Sequence, residues 1–537
     1  MERHFLLLCL ALGSAAAAYA QVDSVWMRSY PGTMLYGGDV TGDAAGNVYV
    51  VAQAFDNDGD YLTLKYNAAG ALQWARTYNG PGNWYDQPHA IAVDPSGNVF
   101  VTGTSYGGSS TDADYCTIKY NAAGDEVWVR RHNGYATAVP PVDVATALVT
   151  DESGNVYVTG YGPGPASGQD VFTVKYAPNG DSLWAQYYNF PATNGGDRGW
   201  AIALDAFGNV IVAGESWGGT AVPPATGFDY LVLKYSNTGT LVFAQRQTAS
   251  SGPSDDAAQA VATDSAGNIY VTGYALSGAW YIATLRFSSA GVALWQQNYP
   301  VPGLQGKRIA VVGGSVYVGG ATYDPPDYLA LKYDTAGLLQ WARLYNNSGS
   351  DNMMDMAVDD AGSVYITGSS QGVVNGDYAT VKYNAAGDSQ WVQRYSSSLG
   401  YDDIAKAIHV FSPGELVVSG TSAGQVVTIR HSESPISHVD VGATPLAFSL
   451  EQNYPNPFNP TTTIGYTLPV AAEVRLSVFD LLGREIAELV NGRLEAGSHS
   501  VIFYGYGLAS GVYLYRLDAR GGEGRVFTQT KRFVLLK

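Results

Sequence analysis

At 537 residues the chain is too long for one ordinary core, so it must be one large repeat domain or several smaller ones. Its 64 glycines and 39 tyrosines, against only 14% charged residues, point to an all-β protein in which glycine serves turns and aromatics serve strands. The formal net charge of −18 repels phosphate backbones and excludes nucleic acid as a partner, while favouring solubility and the attraction of divalent cations.

Residues 1–20, MERHFLLLCLALGSAAAAYA, read as a signal peptide: a short charged start, an apolar run from Phe5 to Leu12, and Ala18-Tyr19-Ala20 as the cleavage site. The mature chain is expected to begin near Gln21. Cys9 lies too early for a lipoprotein cleavage box, so no lipid anchor is expected. No later segment has the ~18 uninterrupted apolar residues of a membrane span. Cys116 is then the one mature cysteine, which excludes an intrachain disulfide.

A repeat occupies residues 21–432. DPSGNVFVTG at 94–103 returns as DESGNVYVTG at 151, DAFGNVIVAG at 205, DSAGNIYVTG at 264, DAAGNVYVVA at 43 and DDAGSVYITG at 359. Weaker copies stand at 311 and 411, making eight, spaced about fifty residues apart. A second motif follows each, as in DYLTLKYNAAGALQW at 60–74, with a basic column (Lys65, Lys119, Lys175, Lys234, Arg286, Lys332, Lys382, Arg430) and, nine residues on in six copies, a tryptophan (Trp74, Trp128, Trp184, Trp295, Trp341, Trp391), with Phe243 substituting once. Each unit parses into strands A to D, with D-x-x-G-N joining A to B and N-x-x-G joining C to D. In both, Asp or Asn bonds its own turn and Gly takes the positive φ.

Four antiparallel strands per unit describe propeller blades. The last unit lacks its D strand, and SVWMRSY at 24–30 is a D strand with no C strand before it. The N-terminal strand is therefore expected to complete the last blade, closing the ring and removing its open edges. On D-x-x-G-N-V-Y-V-T-G and D-Y-x-T-x-K-Y-N the chain resembles the seven-bladed β-propeller repeat proteins of bacteria over roughly 23–432. The copies here number eight; seven is the alternative, because the sixth first turn lacks its Asp and Asn. The resemblance implies a scaffold and no particular reaction.

Columns through the repeat separate structural from functional residues. Cys116 shares its position with Leu62, Phe172 and Leu231 and is expected to be a buried thiol. The basic column, usually preceded by an aspartate five residues earlier, is expected to fasten each blade. A further column at the start of strand A, Asp86, Asp143, Asp197, Asp256, Asp351 and Asp403, has Leu35 and Gly303 as exceptions. Each either caps its own D-to-A loop or joins a ring at the channel mouth that holds a metal, Ca²⁺ being the cation considered. No other cofactor is indicated. FDNDGDY at 55–61 is a poor calcium loop, since its glycine precedes the last aspartate rather than following it.

The B–C and D–A loops share one face and are long and varied, the pattern by which a rigid scaffold carries function. Trp84, Tyr85, Tyr106, Tyr135 and Trp217 are the ligand-binding candidates there, with Tyr161 and Phe190 beside them. They suit sugar rings or peptide, or else pack the loops. No catalytic histidine cluster, G-x-S-x-G or phosphate loop is present, so no catalytic residue is assigned.

Residues 433–447 read as a linker, and 448–537 as a small antiparallel Ig-like sandwich of short alternating runs. The prolines of NYPNPFNPTT suit the start of an edge strand, with Tyr454 and Phe458 expected to pin it. Tyr454-Pro455-Asn456-Pro457, Asp480-Leu481-Leu482-Gly483, Ser510-Gly511-Val512-Tyr513 and Lys531-Arg532-Phe533-Val534 resemble the type A C-terminal sorting domain of type IX secretion cargo. That implies the type IX machinery as partner and a secreted or outer-surface location on a Gram-negative bacterium. The whole reads as a secreted binding scaffold for glycan, peptide or protein. The alternative is a polysaccharide hydrolase or lyase using loop-face carboxylates.

Overall fold

The computed structural model describes residues 21–434 except 33–34, 56–58, 109–111, 136–141, 165–167, 191–194, 219–226, 250–254, 277, 300, 302, 323–324, 348, 373–374 and 398–399. Beyond the first domain it describes 447–535 except 454–455, 457–460, 506–507 and 522–525. The signal peptide, most of the linker, the FDNDGDY aspartates 56 and 58, Tyr454, Pro455, Pro457 and Phe458 lie outside the described residues. The chain divides into two units, 1–434 and 435–537.

The first unit holds eight four-stranded antiparallel sheets. In seven of them strands A to D follow in chain order, from Leu35–Gly42, Val48–Ala54, Asp60–Tyr66 and Leu72–Tyr78 in blade 1 to Asp351–Val358 through Ser389–Tyr395 in blade 7. Blade 8 takes Asp403–Ser412, Glu415–Ser422 and Gln425–Ser434 as A to C, and the N-terminal strand Gln21–Tyr30 as D. Each A strand lies beside the next, and Leu35–Gly42 lies beside Asp403–Ser412, so the ring is closed. Eight blades is the correct count. Blade 6 keeps its place because its first turn is a two-residue Gly313-Gly314 connection with both φ positive, at 55° and 73°. This turn is one residue shorter than the D-x-x-G-N turns. The residue matching Asp86 in blade 6 is therefore Leu304, not Gly303.

The turn chemistry is as the sequence dictates. Asp94 Oδ1 accepts the N–H groups of Ser96 and Asn98, both at 2.9 Å, Oδ2 accepts from the Asn98 amide, and Gly97 sits at φ 77°. Strands B and C are buried nearly end to end because neighbouring blades cover both of their faces; Val48–Ala54 is buried at every residue. That is why these strands read as continuous apolar runs.

Adjacent blades are joined by a clasp. Lys119 Nζ and Trp128 Nε1 both donate to the Pro178 carbonyl in the C–D turn of the next blade, at 2.8 and 3.1 Å. Lys332 and Trp341 do the same at Ala385. The turn glycine admits the ring: a Cβ on Gly124 would lie 2.7 Å from Trp74. The basic column thus fastens blade to blade and does not pair with the aspartate five residues before it. Residues five apart on a strand point to opposite faces. Three of those aspartates instead meet an arginine on strand D: Asp114–Arg131 at 2.8 Å, Asp377–Arg394 at 3.0 Å, and Asp229–Arg246.

At the seam there is no C–D turn, since those strands belong to opposite ends of the chain. The Glu433 carboxylate takes its place, accepting from Trp391 Nε1 at 2.6 Å and Lys382 Nζ at 2.5 Å. On the other side Trp26 of the N-terminal strand donates to Ala68 of blade 1 at 3.0 Å.

The second unit is a sandwich of a three-stranded and a four-stranded sheet over one core that includes Ile464, Leu476, Val478, Tyr515, Leu517 and Phe533. The buried Tyr515 hydroxyl donates to Glu451 O and accepts from Asn453 N, so it fixes the start of the domain.

Candidate functional site

Propeller topology gathers the ends of strands B and D and the starts of strands A and C on one face. The six aspartates at the start of strand A are fully buried there. Each carboxylate accepts a backbone N–H from its own D-to-A loop: Asp86 from Gly80, Asp143 from Gly134, Asp197 from Phe190, Asp256 from Ala249, Asp351 from Asn347 and Asp403 from Ser397, at 2.6–2.9 Å. Asp86 and Asp256 use the other oxygen for an amide at the end of strand B, Tyr106 and Leu276, both at 2.9 Å. Among the described residues no three His, Cys, Asp or Glu side chains gather as a metal site. The geometry is that of loop capping, each carboxylate beneath its own loop. A calcium chelator is accordingly expected to leave the melting temperature unchanged; a fall of several degrees would reinstate the cation.

Blade 3 departs from this pattern. Pro163 stands where Tyr106 and Leu276 supply an amide to the capping aspartate, so Asp143 has no such donor there. Burial pushes the Asp143 carboxyl up to about 7, against the Gly134 amide, with Asp114 adding to the rise. Asp170 on strand C faces Tyr187 where three other blades place arginine. Burial and then the nearby Asp197 push it up to about 7. Burial also holds the neighbouring His132 down to about 4; its ring stacks on Phe172 at 3.8 Å and its Nε2 lies 2.6 Å from the Tyr187 hydroxyl. Cys116 is buried and its thiol is pushed up to about 12, by burial above all.

The aromatic candidates fall into separate groups. Trp84, 55% exposed, stands edge-on to Tyr106 at 5.0 Å, with the exposed Tyr85 beside it donating to Gln87 Oε1 at 2.9 Å. Tyr135 is exposed and braced on Tyr187 at 5.5 Å. Trp217 is half-buried, folded onto Phe228 at 5.1 Å.

Sequence reading missed a cluster next to Trp217. The Arg198 guanidinium lies over both Tyr161 and Phe228, at 5.6 and 5.4 Å, and bonds Glu215 at 2.8 Å and Gln169 at 2.7 Å. Arg198 is the one charged residue at the second position of strand A, among Tyr36, Gln87, Val144, Ala257, Gln305, Asn352 and Ile404, and that contrast was available in the sequence. Deeper along the A strands, Asp355 bonds Arg308 at 2.5 Å and accepts Ile408 N at 2.9 Å. Asp39 accepts Ile91 N at 3.2 Å. These charges hold amides of the next blade.

The described sorting-motif residues all lie in the sandwich. Asn456 Oδ1 accepts Val534 N at 2.9 Å; Asp480 and Gly483 form a tight turn; Gly511 pairs with Leu535; Tyr513 donates to Ala509 O; and Lys531 pairs with Tyr515. No helix among the described residues is long and apolar enough to cross a membrane.

Comparison with known proteins agrees with this architecture. A β-propeller repeat model matches residues 73–109 and 246–278, and a secretion system C-terminal sorting domain model matches residues 452–533. The regulatory protein FlaEY of Caulobacter vibrioides is 29% identical over 183 residues, covering 32% of this chain and 18% of that protein. An uncharacterized WD repeat-containing protein of Acanthamoeba polyphaga mimivirus is 23% identical over 206 residues, covering 29% of this chain and 14% of its own length. The chain thus spans less than a fifth of these curated relatives. Among solved structures, a europium-containing methanol dehydrogenase superposes with a TM-score of 0.50 at 12% identity, over 76% of this chain and 93% of that one, a likeness of fold alone. The chain carries β-propeller repeats and the C-terminal sorting domain that marks proteins secreted through the type IX system to the cell surface or extracellular space.

Proposed function

We propose that the propeller is a binding scaffold for extracellular glycan, held on the face where the long loops lie. The observation that carries this reading is Trp84, exposed on a closed, stiff ring and braced edge-on by Tyr106, with Tyr85 and Gln87 beside it. An indole face packs against the apolar face of a sugar ring, and neighbouring hydroxyl and amide groups select its orientation. Arg198 and Gln169 supply charged and polar contacts on the same face, two blades away. The test is retention of the purified chain on a panel of immobilised polysaccharides, with Trp84→Ala expected to weaken it at least tenfold and to leave the melting temperature unchanged. Retention that is indifferent to Trp84 would sink this site. Depolymerisation of a retained polysaccharide would move the assignment to a hydrolase or lyase.

A further inference from the structure

Two of the most exposed large apolar side chains among the described residues of the second unit stand side by side at one turn. Leu481 and Leu482 are 68% and 82% exposed. The turn beneath them is rigid. Asp480 Oδ1 accepts the N–H groups of Leu482 and Arg484, both at 2.9 Å, Oδ2 accepts Arg484 Nε at 2.7 Å, and Gly483 N donates to Asp480 O at 3.0 Å with φ at 81°.

The propeller builds the same turn repeatedly, which shows what it requires. Gly recurs at the fourth position; in the Asp-x-x-Gly copies the two residues between are Ala44-Ala45, Pro95-Ser96, Glu152-Ser153, Ser265-Ala266, Thr335-Ala336 and Asp360-Ala361, with Ala206-Phe207 the one bulky case. Two leucines therefore serve no local purpose in the turn, and they expose apolar surface to water.

A second observation concerns what surrounds them. The adjoining strand end places Phe479 opposite Leu514, so the turn projects beside Gly511, the half-exposed Val512 and the strand end Val534–Leu535. Asn456 ties to the same end through Val534. Sorting-motif segments far apart in sequence, near 456, 480, 511 and 534, thus converge on one end of the sandwich.

We propose that this end is the surface the secretion machinery grips, with Leu481 and Leu482 as its apolar anchor in a hydrophobic pocket of a protein receptor. The inference rests on the sorting domain and is independent of the glycan reading of the propeller. A second copy of this chain is the rival occupant, and the test separates the two.

The full chain is produced in a type IX-secreting bacterium as wild type, as the pair Leu481→Ser with Leu482→Ser, and as the pair Leu481→Met with Leu482→Met. Phe207→Ser, an exposed apolar residue on a propeller turn, is the control. The serine pair is expected to cut the exported fraction at least tenfold and to accumulate in the periplasm, while the methionine pair and Phe207→Ser are exported normally. The melting profile of the purified serine pair should match wild type. Export of the serine pair at the wild-type level would overturn the proposal. So would an equal block in Phe207→Ser, a block in the methionine pair, or a lost melting transition, which would make the leucines structural. A change confined to the solution mass, with export intact, would assign the leucines to self-association and overturn it too.

Discussion

Trp26→Ala should destabilise the propeller by about 3–5 kcal/mol, the range for truncating a buried tryptophan, and should do more than lower a melting curve. Trp26 is nearly buried, packs on Tyr66 with centroids 5.9 Å apart, fills the space over Gly70 and donates to Ala68 O. Arg28 on the same strand donates to Gly70 O at 2.5 Å. Trp74 makes the equivalent clasp between blades 1 and 2, at Gly124 and Ala122. The two differ in what stands behind them. Trp74 lies on a strand tied covalently to strand C of its own blade, whereas Trp26 lies on a strand held to blade 8 only by pairing and packing. Trp26→Ala and Trp74→Ala should therefore lose similar stability to urea. Only Trp26→Ala should release residues 21–30 to a protease under native conditions, leaving strand Gln425–Ser434 as an open edge prone to association. Equal protease resistance of the two variants would show that the seam is no weaker than any other joint.

Asp143→Asn should raise stability at pH 8 and change little near pH 4. The folded carboxyl titrates at about 7, against roughly 3.9 in an unfolded chain. Between those values the folded state holds a proton that the unfolded state has released, so stability falls as pH rises through the window and stays low above it. About three units correspond to an upper limit of roughly 4 kcal/mol at pH 8. Asparagine removes the charge while keeping an oxygen for Gly134 N. The buried His132 works in the opposite direction, since its depressed pKa means stability is lost as pH falls below about 6.5. The informative quantity is thus the difference in melting temperature between variant and wild type at each pH. A difference that does not grow from pH 4 to pH 8 would refute the assignment. Asp86→Asn should act the other way. Both its oxygens accept backbone N–H groups, so one amide would face a donor, at a cost of about 1–3 kcal/mol.

The parts of this molecule that were readable in advance are those whose chemistry closes within a few residues. A D-x-x-G-N turn carries donor, acceptor and positive-φ glycine in one string, so blade number and strand order followed from counting strings. The missing D strand of blade 8 was readable because a repeat makes absence visible. The partner of the basic column was not readable. Lys119 reaches a backbone carbonyl at Pro178, and a carbonyl leaves no trace in a sequence. Arg131, Arg246 and Arg394 were readable in principle, since each follows its aspartate by the same seventeen residues. The loop-face aromatics were found as residues but not as groups. Whether a ring projects, as Trp84 does, or folds onto a neighbour, as Trp217 does on Phe228, depends on loop paths that periodicity does not encode.

The N-terminal strand also sets the order of events in time. Its partner, Gln425–Ser434, lies some four hundred residues downstream. At a synthesis rate of roughly 5–20 residues per second, the strand waits on the order of 20–80 s before the surface it completes exists. The contact that closes the ring is thus among the most distant in sequence and is expected to form among the last. The sorting domain lies after that strand in the sequence, so a machine that recognises the sorting domain meets the chain only after every strand of the propeller has been made.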